Sequence, residues 1–295
     1  MTAKIIDGLA IAQQVRAEVA ADVVKLQQSH RVTPGLAAVL VGDDPASAVY
    51  VRNKAKACAE AGIFAETVRL PHNTTQEELL AVVDRLNFDS RFHGILVQLP
   101  LPRHIHETAV INAVSPAKDV DGLHPVNMGR LALGQPNVVS CTPAGVQQML
   151  LRSGYDPSGR HVVICGRSNI VGKPLALLLM QKAPGANATV TICHTGTRNL
   201  PDIVRQADIL IAAAGSARMI TADMVKPGVV VIDVGTNRVE DSTKKSGYRL
   251  VGDVDFDAVK EVAAAISPVP GGVGPMTIAM LLVNTVKLAK AAAGS

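Results

Sequence analysis

Short apolar runs alternate with helix-periodic segments along most of the chain. In the first third, the apolar runs end in Gly, Pro or Asp, which predicts buried strands at residues 36–41, 66–70 and 94–99. The segments around them carry apolar residues at helical spacing, which predicts helices at residues 7–28, 45–61 and 76–86. Asp44 and Pro45 suit the N-cap and the first position of the second helix. This alternation indicates parallel strands joined by crossover helices.

A second βα series follows a passage rich in Pro, Gly, Asp and His at residues 100–142, in which one short helix is predicted near residues 126–133. The strands of this series are predicted at residues 161–165, 189–193, 209–213 and 229–234, and its helices at residues 174–182, 200–206 and 256–265. A last apolar helix is predicted at residues 276–292.

We therefore predict an α/β protein of two βα domains with a ligand cleft between them. Residues 1–140 and 276–295 form the first domain, and residues 141–275 form a Rossmann-type parallel sheet.

Composition excludes several other classes of protein. The chain has 295 residues, of which 48% are hydrophobic and 18% charged, enough for a substantial core. The net charge of +4 is scattered and only 2% of residues are aromatic, so no nucleic-acid partner is expected. No apolar run reaches the length of a membrane span, and the first residues lack an apolar signal core. The four cysteines form no C-x-x-C pair, which favours reduced thiols and a cytoplasmic location.

The strand at residues 161–165 runs into a turn, GRSNIVGKP at residues 166–174, and then into a helix. Such a turn directs backbone N–H groups and a helix dipole toward a phosphate, as in dinucleotide sites. The next strand ends without the carboxylate that binds the ribose hydroxyls of NAD. Arg167 can pair with a 2′-phosphate, so NADP is predicted as the cofactor. No Cys/His cluster has the spacing of a metal site, and none is expected.

Several polar residues in the first domain lie where ligands gather. Tyr50 and Lys54 share a helix face, although this pair alone fits an ordinary amphipathic helix. Gln98 ends a strand, at the sheet edge where α/β proteins bind ligands. The turn KDVDG at residues 118–122 carries two acids positioned to accept N–H donors from a ligand ring. The Pro- and Gly-rich residues 268–277 allow a flat ligand to approach the backbone.

Taken together, five motifs resemble one family, the bifunctional methylenetetrahydrofolate dehydrogenase/methenyltetrahydrofolate cyclohydrolases. In chain order they are Tyr50 with Lys54, VQLPLP at residues 97–102, KDVDG at 118–122, GRSNIVGKP at 166–174 and PGGVGP at 270–275. The resemblance implies oxidation of 5,10-methylenetetrahydrofolate by NADP⁺ and hydrolysis of the methenyl product to 10-formyltetrahydrofolate. It also implies a place in one-carbon metabolism, with purine and amino-acid biosynthesis, and a homodimer formed through the cofactor domain.

The resemblance also implies roles for individual residues. Lys54 is the general acid/base, Gln98 tunes it, Tyr50 packs over the folate ring and Asp121 binds the pterin. The remaining implied contacts are Pro270, Gly271 and Gly272 to the substrate and Gly166, Arg167, Ser168, Thr195 and Thr236 to NADP. Thr236 stands where the family often has Ile, and Thr195-Gly196 where it often has Ser and a basic residue.

Two alternatives stay open at this point. An NADP-dependent dehydrogenase of the shikimate or amino-acid type explains the turn at residues 166–174 but gives Gln98 and Asp121 no task. A non-catalytic folate- or NADP-binding regulator does not require Lys54 and Tyr50.

Overall fold

The computed structural model describes residues 2–244 and 247–294, which fold as two compact units. The six-stranded unit comprises residues 2–12 and Thr142–Thr277, and the three-stranded unit comprises Gln13–Cys141 and residues 278–294. The structure groups residues 2–12 with the six-stranded unit, whereas the sequence analysis expected them in the first domain. They join the six-stranded unit because Lys4–Ile5 adds a parallel strand to its sheet and the N–H of Leu9 donates to the carbonyl of Gly271 at 3.0 Å.

The elements have the following bounds. The strands are β1 (Lys4–Ile5), β2 (Gly35–Val41), β3 (Phe64–Leu70), β4 (Gly94–Val97), β5 (His161–Cys165), β6 (Thr189–Cys193), β7 (Ile209–Ala212), β8 (Val230–Asp233), β9 (Asn237–Glu240), β10 (Tyr248–Val251) and β11 (Ala265–Ile266). The helices are α1 (Gly8–His30), α2 (Pro45–Glu60), α3 (Gln76–Phe88), α4 (Glu107–Ala113), α5 (Pro125–Ala132), α6 (Cys141–Arg152), α7 (Gly172–Leu179), α8 (Leu200–Val204), α9 (Phe256–Val259) and α10 (Val273–Ala292), with a short 3₁₀ turn at Ala222–Met224.

The three-stranded unit is built on a parallel sheet of order β3-β2-β4. Every residue of β2 is buried, as expected for a central parallel strand covered on both faces. Helix α2 begins where Asp44 accepts a hydrogen bond from the N–H of Ser47 at 2.7 Å and Pro45 takes the first position. Helix α3 begins with a capping box formed by Thr75 and Glu78. Local signals of this kind explain why the sequence predicts these helices.

The six-stranded unit has an all-parallel sheet of order β1-β11-β8-β7-β5-β6. The chain goes from β5 to β6 on one side and then to β7 on the other, so the strand order reverses between β5 and β7. In open parallel sheets, ligands bind in the crevice beyond the carboxyl ends of the strands at such a switch point. Strands β9 and β10 form a separate antiparallel pair.

The prediction of a helix over residues 256–265 is wrong in its second half. Helix α9 ends at Val259, and Ala265–Ile266 forms β11, paired in parallel with both β1 and β8. Both residues of β11 are fully buried, so pairing inside the sheet overrides the helix propensity of the alanines nearby. Helix α4 was not predicted. Within residues 100–142 a single short helix was expected near residues 126–133, which corresponds to α5, and the structure adds α4 before it.

Among the residues that the structure describes, no helix is both long enough and apolar enough to cross a membrane.

Candidate functional site

A lysine and a glutamine meet at the carboxyl edge of the three-stranded sheet. Lys54 lies on α2 with 9% of its surface exposed, and its Nζ donates to Oε1 of Gln98 at 3.1 Å. Gln98 directly follows β4, where its N–H donates to the carbonyl of Val39 at 2.9 Å. Its side-chain Nε2 donates to the carbonyl of Leu99 at 2.7 Å, which orients Oε1 toward the lysine. The fold therefore holds this ammonium group in one direction.

Tyr50 lies one helical turn before Lys54 on α2 and differs from it in exposure. Its residue is 46% exposed, whereas Lys54 is nearly covered. An aromatic ring that is open to solvent beside a buried ammonium leaves a face on which a planar ligand can stack.

The two acids of the KDVDG turn have different surroundings. Asp119 is buried and accepts hydrogen bonds from the N–H groups of Leu123 at 3.2 Å and His124 at 2.9 Å, and from Nδ2 of Asn127 at 2.9 Å. These donors belong to the chain itself, so Asp119 holds the turn. The expectation that both acids receive donors from a ligand is wrong for Asp119.

Asp121, in contrast, receives a single hydrogen bond from the part of the chain that the structure describes, a long one from Sγ of Cys141 at 3.9 Å. Burial raises the pKa of its carboxyl to about 6, and the charge of Asp119 adds to this shift. The nearby Lys54 ammonium opposes the shift, which places the carboxylate within electrostatic reach of the lysine. A carboxylate with one long thiol contact, beside a buried cation, keeps acceptor capacity for N–H groups of a ligand.

Two thiols surround this pair but are chemically quiet. Burial raises the pKa of Cys58 to about 12, although Lys54 opposes the shift. Burial and the Asp121 carboxylate raise the pKa of Cys141 well above its ordinary value. Protonated thiols are poor nucleophiles, so these cysteines fill space beside the lysine.

The six-stranded unit carries the residues predicted to hold the cofactor. Gly166 follows β5 with a φ of +137°, a conformation that L side chains rarely adopt. A Cβ on Gly166 would overlap the carbonyl of Ala213, and a Cβ on Gly172 would overlap the carbonyl of Gly166. The turn therefore packs backbone against backbone and leads into α7. Arg167 and Ser168 are exposed on it, and Ser168 Oγ accepts the N–H of Val171 at 3.1 Å.

The remaining predicted contacts follow other strands of the same sheet. Thr195 comes two residues after β6 and Thr236 three residues after β8, and both are exposed. Pro270, Gly271 and Gly272 follow β11 and precede α10. Pro270 is preceded by a cis peptide bond and Gly271 has a φ of +100°. Since all these strands are parallel, the predicted cofactor residues lie along one edge of the sheet.

The predicted site residues thus form two groups. In the first group, Lys54 and Gln98 are hydrogen-bonded and Asp121 acts on the same lysine electrostatically. Tyr50 lies on α2 together with Lys54. The predicted contacts from Gly166 to Gly272 belong to the six-stranded unit. Within residues 2–244 and 247–294, no group of three or more His, Cys, Asp or Glu side chains is placed to hold a metal ion.

Sequence reasoning did not identify Asn284 as a site residue. From α10 it donates through Nδ2 to the carbonyls of Val120 at 2.8 Å and Val139 at 2.9 Å, and it reaches Sγ of Cys141 at 3.7 Å. It therefore holds both chain segments that flank Asp121. The available signal was a single amide side chain within the apolar helix of residues 276–292.

Comparisons with known proteins place these two groups of residues in two domain models of one family. Residues 6–121 match the model of the tetrahydrofolate dehydrogenase/cyclohydrolase catalytic domain, and residues 140–293 match that of the NAD(P)-binding domain of the same family. The bifunctional protein FolD of Chlorobium phaeobacteroides is 58% identical over 96% of this chain and 97% of its own length. The FolD of Dehalococcoides mccartyi is also 58% identical, over 100% of this chain and 99% of its own.

A solved structure shows the same similarity. The methylenetetrahydrofolate dehydrogenase-cyclohydrolase of Trypanosoma brucei, complexed with NADP cofactor and inhibitor, is 43% identical and has a TM-score of 0.94, covering 100% of both chains.

We expect Asp121→Asn to stabilise the protein at neutral pH. Because the folded-state pKa of about 6 lies above the ordinary 3.8, the folded protein holds a proton that the unfolded chain releases. The stability associated with this group is therefore lost as the pH rises from about 4 to about 6. Removing the charge should raise the free energy of unfolding by about 1–3 kcal/mol at pH 7 and leave it nearly unchanged at pH 4. Urea denaturation across this pH range measures the difference.

Asp119→Asn is the matched control in the same turn. It replaces a carboxylate that accepts three donors, so it should lower the free energy of unfolding at pH 7 by about 1–3 kcal/mol. Destabilisation of the Asp121 variant at pH 7 by a similar amount would contradict the different roles of the two acids.

Proposed function

Since the chain belongs to the tetrahydrofolate dehydrogenase/cyclohydrolase family, it is a bifunctional, NADP-dependent enzyme of folate metabolism, and we propose how its side chains perform the two reactions. The enzyme oxidises 5,10-methylenetetrahydrofolate to the 5,10-methenyl compound and hydrolyses that compound to 10-formyltetrahydrofolate. The observation that supports our assignment of roles is the buried ammonium of Lys54, oriented by Gln98 and close to the Asp121 carboxylate.

In the hydrolysis, Lys54 moves the proton. Water attacks the methenyl carbon, a C–O bond forms, and Nζ of Lys54, as the neutral amine, takes up one proton of this water. The bond from that carbon to N5 then breaks, N5 receives this proton from the same Nζ, and the hydroxyl group on the carbon releases its proton to solvent as it becomes the formyl carbonyl. One general acid/base suffices for both transfers because the first step protonates the group that the second step needs.

The neighbouring residues bind and orient the substrate. Gln98 keeps Nζ in one direction without supplying a negative charge that would retain its proton. Tyr50 offers its exposed ring to the folate ring system, and the carboxylate of Asp121 accepts N–H groups of the pterin.

The glycine turn after β5 packs backbone against backbone at Gly166 and Gly172 and leads into the N-terminus of α7, which is the arrangement of a dinucleotide phosphate site. We assign Gly166 and Ser168 to the phosphates, Arg167 to the 2′-phosphate, and Thr195 and Thr236 to the rest of NADP. When bound, NADP⁺ accepts a hydride. The segment 194–198 after β6 carries no acid, so nothing there repels the 2′-phosphate.

The two alternatives from the sequence are not needed. A dehydrogenase of the shikimate or amino-acid type leaves the contact between Lys54 and Gln98 without a task. A non-catalytic regulator does not require a buried ammonium held by an oriented acceptor. Family membership covers both units of the chain.

We also propose that the enzyme acts in the cytoplasm and supplies one-carbon units for purine and amino-acid biosynthesis. The four cysteines are free and buried, which suits a reducing compartment. A formyl group on N10 is an activated one-carbon donor, which suits a biosynthetic role. A purine requirement in cells that lack the enzyme would support this role, and normal growth without purines would contradict it.

Lys54→Met is expected to abolish methenyl hydrolysis. Loss of a general acid/base typically lowers a rate by about 10²- to 10⁴-fold, and the decay of methenyltetrahydrofolate absorbance measures it. Lys56→Met is the matched control, because Lys56 lies on the same helix, its side chain is 75% exposed and it pairs with Glu60 at 3.8 Å. Hydrolysis at the unaltered rate in the Lys54 variant would remove this residue from the mechanism.

Gln98→Glu should impair hydrolysis by a shift in its pH dependence. A carboxylate about 3 Å from Nζ stabilises the protonated amine, so the ascending limb of the pH–rate profile should move upward by about 1–3 pH units. Gln98→Met, which removes the acceptor without adding charge, should lower the rate and leave the limb in place. An unchanged profile in the glutamate variant would count against the tuning role.

We propose that two copies associate through the six-stranded unit. Its outer strand β6 is a sheet edge with unpaired backbone groups, and Ile192 on that strand is 37% exposed. Light scattering at micromolar concentration should give twice the mass of one chain. The mass of a single chain under these conditions would contradict the proposal.

A further inference from the structure

Two buried carboxylates lie beneath the proposed cofactor edge of the six-stranded unit, and the catalytic steps above do not use them. Asp233 ends β8 and Asp253 follows β10, and they are 3% and 0% exposed. Burial raises the pKa of Asp233 to about 6, which shows that this interior disfavours a charged carboxylate. Buried carboxyl groups require hydrogen-bond partners. The partners of Asp233 and Asp253 are chiefly backbone N–H groups.

Asp253 binds three consecutive N–H groups that follow β7. Its Oδ2 accepts from Ala214 at 2.6 Å and Gly215 at 2.9 Å, and its Oδ1 accepts from Ser216 at 2.9 Å. The acceptor itself has no exposed surface, whereas all three donor residues are exposed. The carboxylate therefore fixes an exposed loop from below.

The same carboxylate also holds the segment after β8. Its Oδ1 accepts from Nδ2 of Asn237 at 2.8 Å, the residue after Thr236. Asp233 continues the network, since its carboxylate accepts the N–H groups of Gly235 at 3.0 Å and of Asp253 at 2.9 Å. Two strand ends are thus tied to one buried pair of acids.

Two glycines provide room for these carboxylates because they have no side chain. A Cβ on Gly252 would overlap the carboxylate of Asp233, and a Cβ on Gly235 would overlap that of Asp253. The backbone therefore packs directly against both acids, and a side chain at either glycine would displace them.

The loop at residues 214–216 borders the cofactor turn. It follows β7, which pairs with β5 at the switch point of the sheet. The carbonyl of Ala213, directly before the loop, lies where a Cβ on Gly166 would be. Crevices at such positions hold nucleotides, so the loop and the glycine turn form adjacent walls of the same crevice.

We propose that Asp253 is a positioning residue for NADP: its buried carboxylate holds residues 214–216 and the segment around Thr236 in the shape that the cofactor binds. This inference rests on the proposed assignment of the cofactor to this edge. Asp253 is covered by protein, so it acts through the backbone that it orders.

Asp253→Asn tests the proposal with little change in side-chain volume. Whichever oxygen the amide nitrogen replaces, two hydrogen-bond donors lose their acceptor and face another donor. We expect KM for NADP⁺ to rise about 10-fold or more, with kcat reduced much less. Methenyl hydrolysis measured without cofactor should stay within about twofold, because Lys54, Gln98 and Asp121 belong to the other unit.

Asp208→Asn is the matched control at the opposite end of β7. Asp208 also accepts a backbone N–H, from His161 at 2.8 Å, and it pairs with Lys226 at 2.6 Å. Its replacement should lower stability and leave KM for NADP⁺ unchanged. An equal rise of KM in both variants would show a general effect of weakening the sheet and would overturn the proposal.

A second pair of variants covers the case in which Asp253→Asn does not fold. Gly215 and Gly228 have φ values of +67° and +83°, and a Cβ on either would meet open space. Alanine therefore strains both positions alike. Gly215 lies beyond the carboxyl end of β7, and Gly228 lies before the amino end of β8. Gly215→Ala should raise KM for NADP⁺ about fivefold or more and Gly228→Ala should not. Equal KM values in these two variants would also overturn the proposal.

Arg167→Gln separates this inference from the function on which it rests. If Arg167→Gln raises KM for NADP⁺ while Asp253→Asn and Gly215→Ala leave it unchanged, the cofactor site stands and the positioning role fails. If neither Arg167→Gln nor the Asp253 and Gly215 variants change KM for NADP⁺, the assignment of NADP to this edge fails, and the positioning role of Asp253 fails with it.

Discussion

The buried ammonium of Lys54 is the constraint on which the candidate active site depends. A charge in the protein interior is costly unless a partner compensates it, and Nζ of Lys54 donates a hydrogen bond to a neutral amide oxygen, Oε1 of Gln98. That oxygen faces the lysine because Nε2 of the same amide is bound to the carbonyl of Leu99. A carboxylate in this position would hold the lysine more strongly but would also retain its proton. A neutral acceptor orients the amine and leaves it able to exchange protons.

The elements with strong local signals could be predicted from the sequence, and those that depend on distant partners could not. Strand β2 is a continuous apolar run and α2 begins at Asp44 and Pro45. Both elements are therefore determined by residues that are adjacent in the sequence. Strands β1 and β11 have two residues each and form by pairing across about 260 positions of the chain. No local pattern encodes such a pairing, which is why the sequence did not indicate that residues 2–12 join the six-stranded sheet and why the helix after Phe256 was predicted too long.

The same limit applies to the site. Lys54, Gln98 and Asp121 were selected by motif, but the different roles of Asp119 and Asp121 follow from donors that only the fold supplies. Asp119 accepts three hydrogen bonds from the residues that follow its turn and from helix α5, and Asp253 accepts three from the loop after β7. Aspartates satisfied in this way shape the backbone. Asp121 receives a single long contact from a thiol and keeps its acceptor capacity for a ligand.

The two units therefore recognise their ligands by different physical means. In the three-stranded unit, charge and hydrogen-bond direction at Lys54, Gln98 and Asp121 carry the chemistry, so substitutions there act through protonation and depend on pH. In the six-stranded unit, glycines such as Gly166 permit backbone to lie against backbone, and buried acids hold the loops that result. Substitutions in that unit act through shape and through the affinity for NADP. Because the two sets of interactions share no residue, the hydrolytic step can report on the integrity of the enzyme while cofactor binding is altered.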